Sequence, residues 1–387
     1  MHQGRMVFSQ VMDYFPVREF QSIVERYEGN KWVQSFTCRS HFNAMAFAQI
    51  TGRESLRDIV TCLSANARHL HHMGIQSGVS RNNLAHANET RDWRIFRDVA
   101  LLLISRARQL CAGEELAVDL KNTVYAFDST TVELCLSLFP WASFRTTKAG
   151  IKLHTSVDVR GNIPSFIRIT DAKQHDVNAL DDLPLEPGAY YLVDRGYLDF
   201  RRLHTVHAAG AFFVTRTKKN TRFKRRYSAP VDKDSGLRSD QTGVLCGVKA
   251  PTQYPAPLRR VVYRDPETDK RLCFLTNSMT IAALDVCKLY KMRWQVELFF
   301  KWIKQHLRIK HFVGTSQNAV HVQIWIAIAT YTMVSILIKE LRLQRSMYDV
   351  LQFLSVSVFE KALITEVFLQ DDATVERESA FIQGEFL

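Results

Sequence analysis

Apolar residues in the first 115 positions recur at helical spacing. Across Phe42–Ile50, Ser55–Leu63 and Trp93–Leu110 they return every three or four residues, and no alternating run interrupts them. From Thr123 the period shortens. Thr123–Leu134 is β-branched and apolar around Asp128, and Ile151–Val159 reads as a second strand. Arg160-Gly161-Asn162 makes a turn, and Ile163–Ile169 returns as a third strand. A short helix over Val177–Leu183 leads through Pro187-Gly188 to a fourth strand, Tyr190–Val193. Another helix, near Phe200–Ala209, precedes a fifth strand, Ala211–Thr215.

Three antiparallel strands followed by helix, strand, helix, strand is the order of an RNase H-like sheet. The closing helix of such a sheet does not follow at once. From Lys218 to Thr280 the pattern breaks into turn formers (Pro230, Gly236, Gly243, Pro251, Pro255, Pro257) and short strand-like runs. Those runs are Val244–Val248, Leu258–Tyr263 and Arg271–Leu275, so the segment reads as a β-rich insertion. A long helix is predicted over Ile281–Leu307, with further helices to the C-terminus. The expected fold is α/β (α+β): a mixed sheet flanked by helices, with an insertion and a helical N-terminal domain. The expected divisions are 1–115, 116–217, 218–280, 281–315 and 316–387.

The predicted long helix carries the most informative stretch, Tyr290-Lys-Met-Arg293-Trp-Gln-Val-Glu297-Leu-Phe-Phe-Lys-Trp-Ile-Lys304. At about 100° per residue, Tyr290, Arg293, Glu297 and Lys304 share an arc of roughly 60°. Met292, Val296, Leu298, Phe299, Trp302 and Ile303 fill much of the remaining circumference. A surface helix shows a broad polar face; here a narrow ionic stripe is set in an apolar helix. Charges in such a setting persist when they are paired, metal-bound or functional. A plain Arg293–Glu297 helix pair accounts for the spacing equally well, and Tyr290 equally fits a core tyrosine.

Two aspartates add to the stripe. Asp128 ends the apolar run Val124-Tyr125-Ala126-Phe127, and Asp194 repeats the arrangement after Tyr190-Tyr191-Leu192-Val193. Carboxylates leaving a sheet at strand ends, opposite one on a helix, make a hard-oxygen site suited to Mg²⁺ or Mn²⁺. Each aspartate taken alone also fits a turn or cap.

These segments resemble the DDE transposases of bacterial insertion sequences, in the group with the Tyr-x2-Arg-x3-Glu-x6-Lys signature. Tyr290, Arg293, Glu297 and Lys304 match its four positions and three gaps. Phe127-Asp128-Ser129-Thr130 and Val193-Asp194-Arg195-Gly196-Tyr197 resemble the segments carrying the first two catalytic aspartates. Gly150–His154 and Thr170–Asp176 resemble segments around the second and third strands, so the likeness runs from about Thr123 to Gly314. The resemblance implies an RNase H-like core with a β insertion, catalysis by Asp128, Asp194 and Glu297, and two Mg²⁺ or Mn²⁺ ions per site. It implies binding to terminal inverted repeats, excision, and joining of 3′ ends to target DNA by a homodimeric synaptic complex. Some members pass through a hairpin and stack a displaced base on a tryptophan of the insertion. Here the insertion holds no Trp, and Phe274 is a candidate substitute.

Charge points to the same polyanionic partner. The 51 Lys and Arg exceed the 39 Asp and Glu by 12 among 387 residues. Such an excess favours nucleic acid through counterion release. Arg293 and Lys304 suit DNA phosphates near the cut, and Tyr290 suits orienting a phosphate or a neighbour. Arg216, Lys218, Lys219, Arg222, Lys224, Arg225 and Arg226 open the insertion with no acid among them, interleaved with Phe223 and Tyr227. That composition suits phosphate contact and base stacking, though a solvated loop is the ordinary fate of a charge run. Ser55–Leu63 and the segment from Ser80 suggest a helix-turn-helix in the N-terminal domain, Ser80 capping a helix that presents Arg81, Asn82 and Asn83 to base edges.

The remaining features exclude other classes. The seven cysteines include no C-x-x-C pair, which argues against a zinc or disulfide framework and fits a reducing bacterial cytoplasm. His69, His71 and His72 lack further ligands at zinc spacing. No signal peptide is evident, and Val322–Ile338 is short of a membrane span and interrupted by polar residues, so it reads as a core helix. Two alternatives to a transposase remain: an RNase H-like nuclease or resolvase that does not join, and a transposase-derived DNA-binding protein without catalysis.

Overall fold

The protein is described by a computed structural model covering residues 4–145, 148–306 and 312–368. Its helices are α1 (Val7–Val11), α2 (Val17–Arg26), α3 (Cys38–Ile50), α4 (Leu56–Ala65), α5 (Arg81–Thr90), α6 (Arg94–Cys111), α7 (Phe200–Ala208), α8 (Ala250–Gln253), α9 (Ala283–Met292), α10 (Trp294–His306), α11 (Gln317–Glu340) and α12 (Met347–Ser357). The strands are β1 (Val124–Leu134), β2 (Ser143–Arg145), β3 (Lys148–Asp158), β4 (Ile163–Asp171), β5 (Tyr190–Val193), β6 (Phe212–Arg216), β7 (Phe223–Ala229), β8 (Leu237–Leu245), β9 (Leu258–Arg264) and β10 (Arg271–Thr276). The chain divides into two compact units, Met1–Cys111 with Trp302–Leu387, and Ala112–Lys301. The helices after Trp302, read from sequence as a region of their own, thus cluster with the N-terminal ones.

In the helical unit α11 packs against α6, α3 and α5. A helix that is apolar all round is stable in water only when buried on every side. Every residue from Ala319 to Leu337 is buried, and the hydroxyls of Thr330, Thr332 and Ser335 donate to the carbonyls of Ile326, Ile328 and Tyr331. By length and composition α11 could cross a membrane, but 94% of its apolar window lies inside this unit. It is a core helix. Thr37, Ser55, Ser80 and Ser316 accept from the backbone N–H three residues on, each cap contributing about 1 kcal/mol. α4 and α5 begin at the expected caps, but residues 66–80 connect them, far more than the three or four of a compact helix-turn-helix.

The second unit is built on one ten-stranded sheet in the order β2-β3-β1-β5-β6-β10-β9-β8-β7, with β4 paired to β3. β1, β3 and β4 are antiparallel, while β5 and β6 run parallel to β1. That is the RNase H-like core the sequence predicts. The insertion continues the same sheet, because β10 pairs antiparallel with β6. Val124–Phe127 and Tyr190–Val193 are buried at every position, which a strand achieves only when both faces are covered. Tyr125, Phe127, Tyr191 and Val193 pack with Leu203 and Val206 of α7 on one face. Alternation sends Val124, Ala126, Tyr190 and Leu192 to the other face.

Three elements differ from expectation. The Val177–Leu183 segment is a 3-10 helix over Asp176–Asp182. The run expected at Val244–Val248 belongs to a longer strand, β8, that starts at Leu237. The basic run contains a strand, β7, whose exposed side chains hide it from a hydrophobic pattern. Within this extension Arg259 and Asp240 form a nearly buried two-pronged ion pair at 2.7–2.8 Å, so β8 and β9 are tied by charge as well as by their ladder.

Candidate active site

The register between β1 and β5 sets the first two carboxylates. The parallel ladder ends with Phe127 opposite Val193, so Asp128 and Asp194 follow at the same level on adjacent strands. Alternation puts both side chains on the face opposite the α7 core. Asp128 does not end its strand as the sequence suggested. β1 runs on to Leu134 against β3, with Asp128 paired to Thr155, and only its pairing with β5 stops. Asp194 leaves the sheet and caps a short 3-10 turn, Arg195–Tyr197.

The third carboxylate comes from the other side of that face. The single helix expected over Ile281–Leu307 is two, α9 and α10, meeting at Arg293. Around the junction the N–H groups of Arg293 and Val296 bond three residues back rather than four, at 3.1 and 3.3 Å. The tightened turn falls where a side chain is anchored across the sheet. Arg293 donates to Asp128 Oδ2 at 3.0 Å and to Glu297 Oε1 at 2.5 Å. The Tyr290 hydroxyl donates to Asp194 Oδ1 at 3.0 Å. The stripe residues Tyr290, Arg293 and Glu297 therefore join both aspartates in one cluster.

Burial pushes the Asp128 carboxyl above the usual aspartate range; the Ser129 N–H and Arg293 oppose that rise, while Asp194 and Glu297 add to it. Asp194 lies below its ordinary value: burial raises it, but the Arg195 and Gly196 N–H groups, Tyr290 and Arg293 together outweigh burial. The Tyr290 phenol is pushed up to about 12, chiefly by burial and then by Asp194. It stays a donor at any physiological pH.

Side chains that sequence reasoning gave no role also surround Asp128. The Tyr197 hydroxyl approaches Asp128 Oδ1 at 3.4 Å, and the Ser129 N–H holds the same oxygen at 2.8 Å. Lys152 lies 3.0 Å from Asp176. Tyr197 and Asp176 stand inside the quoted motifs, and that was the available signal.

Residues 119–333 match the family described as Transposase DDE domain. The chain belongs to the DDE transposase family. The transposase y4zB of Sinorhizobium fredii is 33% identical over 273 residues, 70% of this chain and 74% of the relative. A transposase for insertion sequence element IS5377 of Geobacillus stearothermophilus is 28% identical over 53% of this chain and 54% of its own. One for element IS4SA of Synechocystis is 22% identical over 73% and 79%. Residues 3–76 of this transposase match a domain of unknown function, DUF4372.

Dependence on divalent metal goes with that family. The donors here fit a hard cation, since all three are carboxylate oxygens. Their spacing does not yet suit one: among the described residues no three His, Cys, Asp or Glu side chains stand close enough to share an ion. The guanidinium of Arg293 lies between Asp128 and Glu297 and takes an oxygen of each.

The remaining sequence candidates fall in several places. Arg216 follows Thr215, which pairs with Val193, and so lies level with Asp194 one strand away. Lys218, Lys219, Arg222, Lys224, Arg225 and Arg226 are exposed, the last three on β7 at the sheet edge. Lys304 is exposed about two turns beyond Glu297 on α10. Arg81, Asn82 and Asn83 are exposed at the start of α5 in the helical unit. Phe274 corrects an expectation: it is 1% exposed and packs on Tyr290 with centroids 5.0 Å apart. A side chain so enclosed offers no face to a displaced base.

Proposed function

We propose that this transposase cuts DNA at the terminal inverted repeats of its insertion sequence and joins the freed 3′ ends to target DNA. Asp128, Asp194 and Glu297 hold two Mg²⁺ or Mn²⁺ ions in this reading, and the enzyme works as a homodimer on paired ends in the bacterial cytoplasm. The observation that carries it is the convergence of three acids, distant in sequence, around Arg293 and Tyr290. Acids gathered in a half-buried site repel one another, so such a cluster is retained where a cation joins it.

The divalent ions would lower the pKa of the attacking water or 3′-hydroxyl and stabilise the leaving oxygen. The protein's own groups do the positioning. Ser129 N–H and the Tyr197 hydroxyl aim Asp128, and Tyr290 holds Asp194 by one oxygen. Once Arg293 leaves the carboxylates, its guanidinium is free to bond the phosphate beside the cut. Arg216, level with Asp194, adds a cation for the DNA backbone, Lys304 is a separate phosphate contact, and the basic β7 edge supplies more.

The test is strand transfer. Linear DNA ending in the element's own terminal repeats is incubated with the transposase, Mg²⁺ and a supercoiled plasmid. Nicking at the repeat followed by joined products is expected. Nicking without joining at any protein concentration overturns the transfer half and leaves a nuclease; neither product overturns the whole.

A further inference from the structure

Trp32 is 91% exposed, and its backbone sits in the left-handed region at φ 61°. A tryptophan standing free in water forgoes the gain from burying its large apolar surface, and the strained backbone adds to the cost. Such a residue is retained when something else covers it.

The loop that holds it is pinned. Gly29 N–H bonds the Val24 carbonyl at 2.8 Å, Val33 N–H bonds the Asn30 carbonyl at 3.1 Å, and the Asn30 side chain accepts from Cys38 N–H at 2.8 Å. A Cβ on Gly29 would meet Ile95 Cδ1 at 2.5 Å, so the loop lies flat on the core. Arg91, just past α5, donates to the Phe36 and Thr37 carbonyls and fixes the far end of the loop to that helix. The ring is thus held outward by a fixed frame.

Beside it lies an open cleft of about 550 Å³, walled by the loop on one side and α5 on the other. Asn83, His86 and Thr90 line the α5 wall, spaced so that they share one helical face. The acids on the rim are both neutralised, Glu28 by Lys31 at 2.7 Å and Asp92 by Arg94 at 2.6 Å. Nothing in the cleft therefore repels a phosphate backbone. Asn83, whose amide is of a type that reads adenine, and His86 line one wall, and the other carries an aromatic ring that fits a sugar or an opened base step.

We infer that this cleft is a contact surface for the duplex at the element's ends, with Trp32 as an apolar anchor beside the Asn83–His86 face of α5. The inference rests on the proposed binding of terminal repeats and on the expectation that Arg81, Asn82 and Asn83 meet DNA, and extends that surface to the 28–36 loop, which no sequence motif singled out.

Binding of the full-length transposase is measured to a duplex carrying the terminal repeat and to a scrambled duplex of equal length. Trp32→Ala should weaken repeat binding about tenfold and scrambled binding much less, with an unchanged melting temperature because the ring packs on little protein. Trp32→Phe should recover most of the loss. If Trp32→Ala binds as wild type while Asn83→Ala is weakened, the role of Trp32 is overturned and that of α5 stands. If neither variant is weakened, both are overturned. Loss of self-association with intact DNA binding in Trp32→Ala would also overturn it, in favour of a protein partner.

Discussion

Arg293 and Asp128, 165 residues apart in sequence, meet through a 3.0 Å hydrogen bond, and the same guanidinium reaches Glu297. A side chain from the signature helix therefore joins the sheet carboxylate to the helix carboxylate. Of the two alternatives the sequence left for Arg293, a helix ion pair or a phosphate contact, the structure shows the first, widened to include Asp128. Here it bonds both acids, and in the proposed reading the same guanidinium is a phosphate contact on DNA.

If Arg293 competes with the ion for Asp128 and Glu297, removing it should make the empty site a better metal site. Arg293→Gln should bind Mn²⁺ about tenfold more tightly than wild type in the absence of DNA, because the ion no longer has to displace a guanidinium bonded to both carboxylates. Electron paramagnetic resonance titration of free Mn²⁺ reads this directly. Adding Glu297→Gln to the same chain should remove the gain. Equal affinity in wild type and Arg293→Gln would contradict the competition.

The edge strand offers a second expectation. Lys224, Arg225 and Arg226 are exposed, and a register shift between Arg225 and Tyr227 breaks the regular alternation of the strand. Edge strands carrying such charges resist pairing with other chains and leave the cations for another partner. Changing all three to Ala should flatten the dependence of DNA affinity on salt by about 0.9 in log-log slope for each phosphate no longer neutralised. An unchanged slope would remove β7 from the DNA path.

Buried histidines predict the response to acid. His41 is pushed down to about 3, first by burial and then by Arg91, while His154 and His321 fall to about 4, mainly by burial. Their folded values lie below 6.5, so the unfolded chain takes up protons first as pH drops. Stability is full above that value and is lost progressively between it and the depressed values, at up to about 1.4 kcal/mol per pH unit for each group. Melting temperatures recorded from pH 8 to pH 5 should fall below about pH 6.5, and His41→Gln, which can still bond Asn88, should fall less steeply. A flat profile would contradict it.

Much of the catalytic unit was legible because its signals are local. Two fully apolar four-residue runs, each followed by Asp, could be read as strands of an RNase H-like sheet that carry Asp128 and Asp194. The spacing from Tyr290 to Glu297 already put three groups on one side of a helix. What stayed hidden depends on partners distant in sequence. The break at Arg293 involves neither Pro nor Gly, and its anchor is Asp128. β7 is exposed on nearly every residue, so no hydrophobic alternation marks it. Phe274 looked available because composition does not reveal that Tyr290 covers it. The helices after Trp302 read as a separate tail because nothing in the apolar run of α11 names α6 and α3 as its neighbours.

The most direct measurement is single-turnover cleavage of a terminal-repeat duplex by Asp128→Asn, with binding recorded in the same samples. The substitution keeps size and polarity while removing the charge an ion needs. The account predicts wild-type affinity with cleavage reduced at least a thousandfold in both Mg²⁺ and Mn²⁺. Cleavage by the bound variant at the wild-type rate would contradict it.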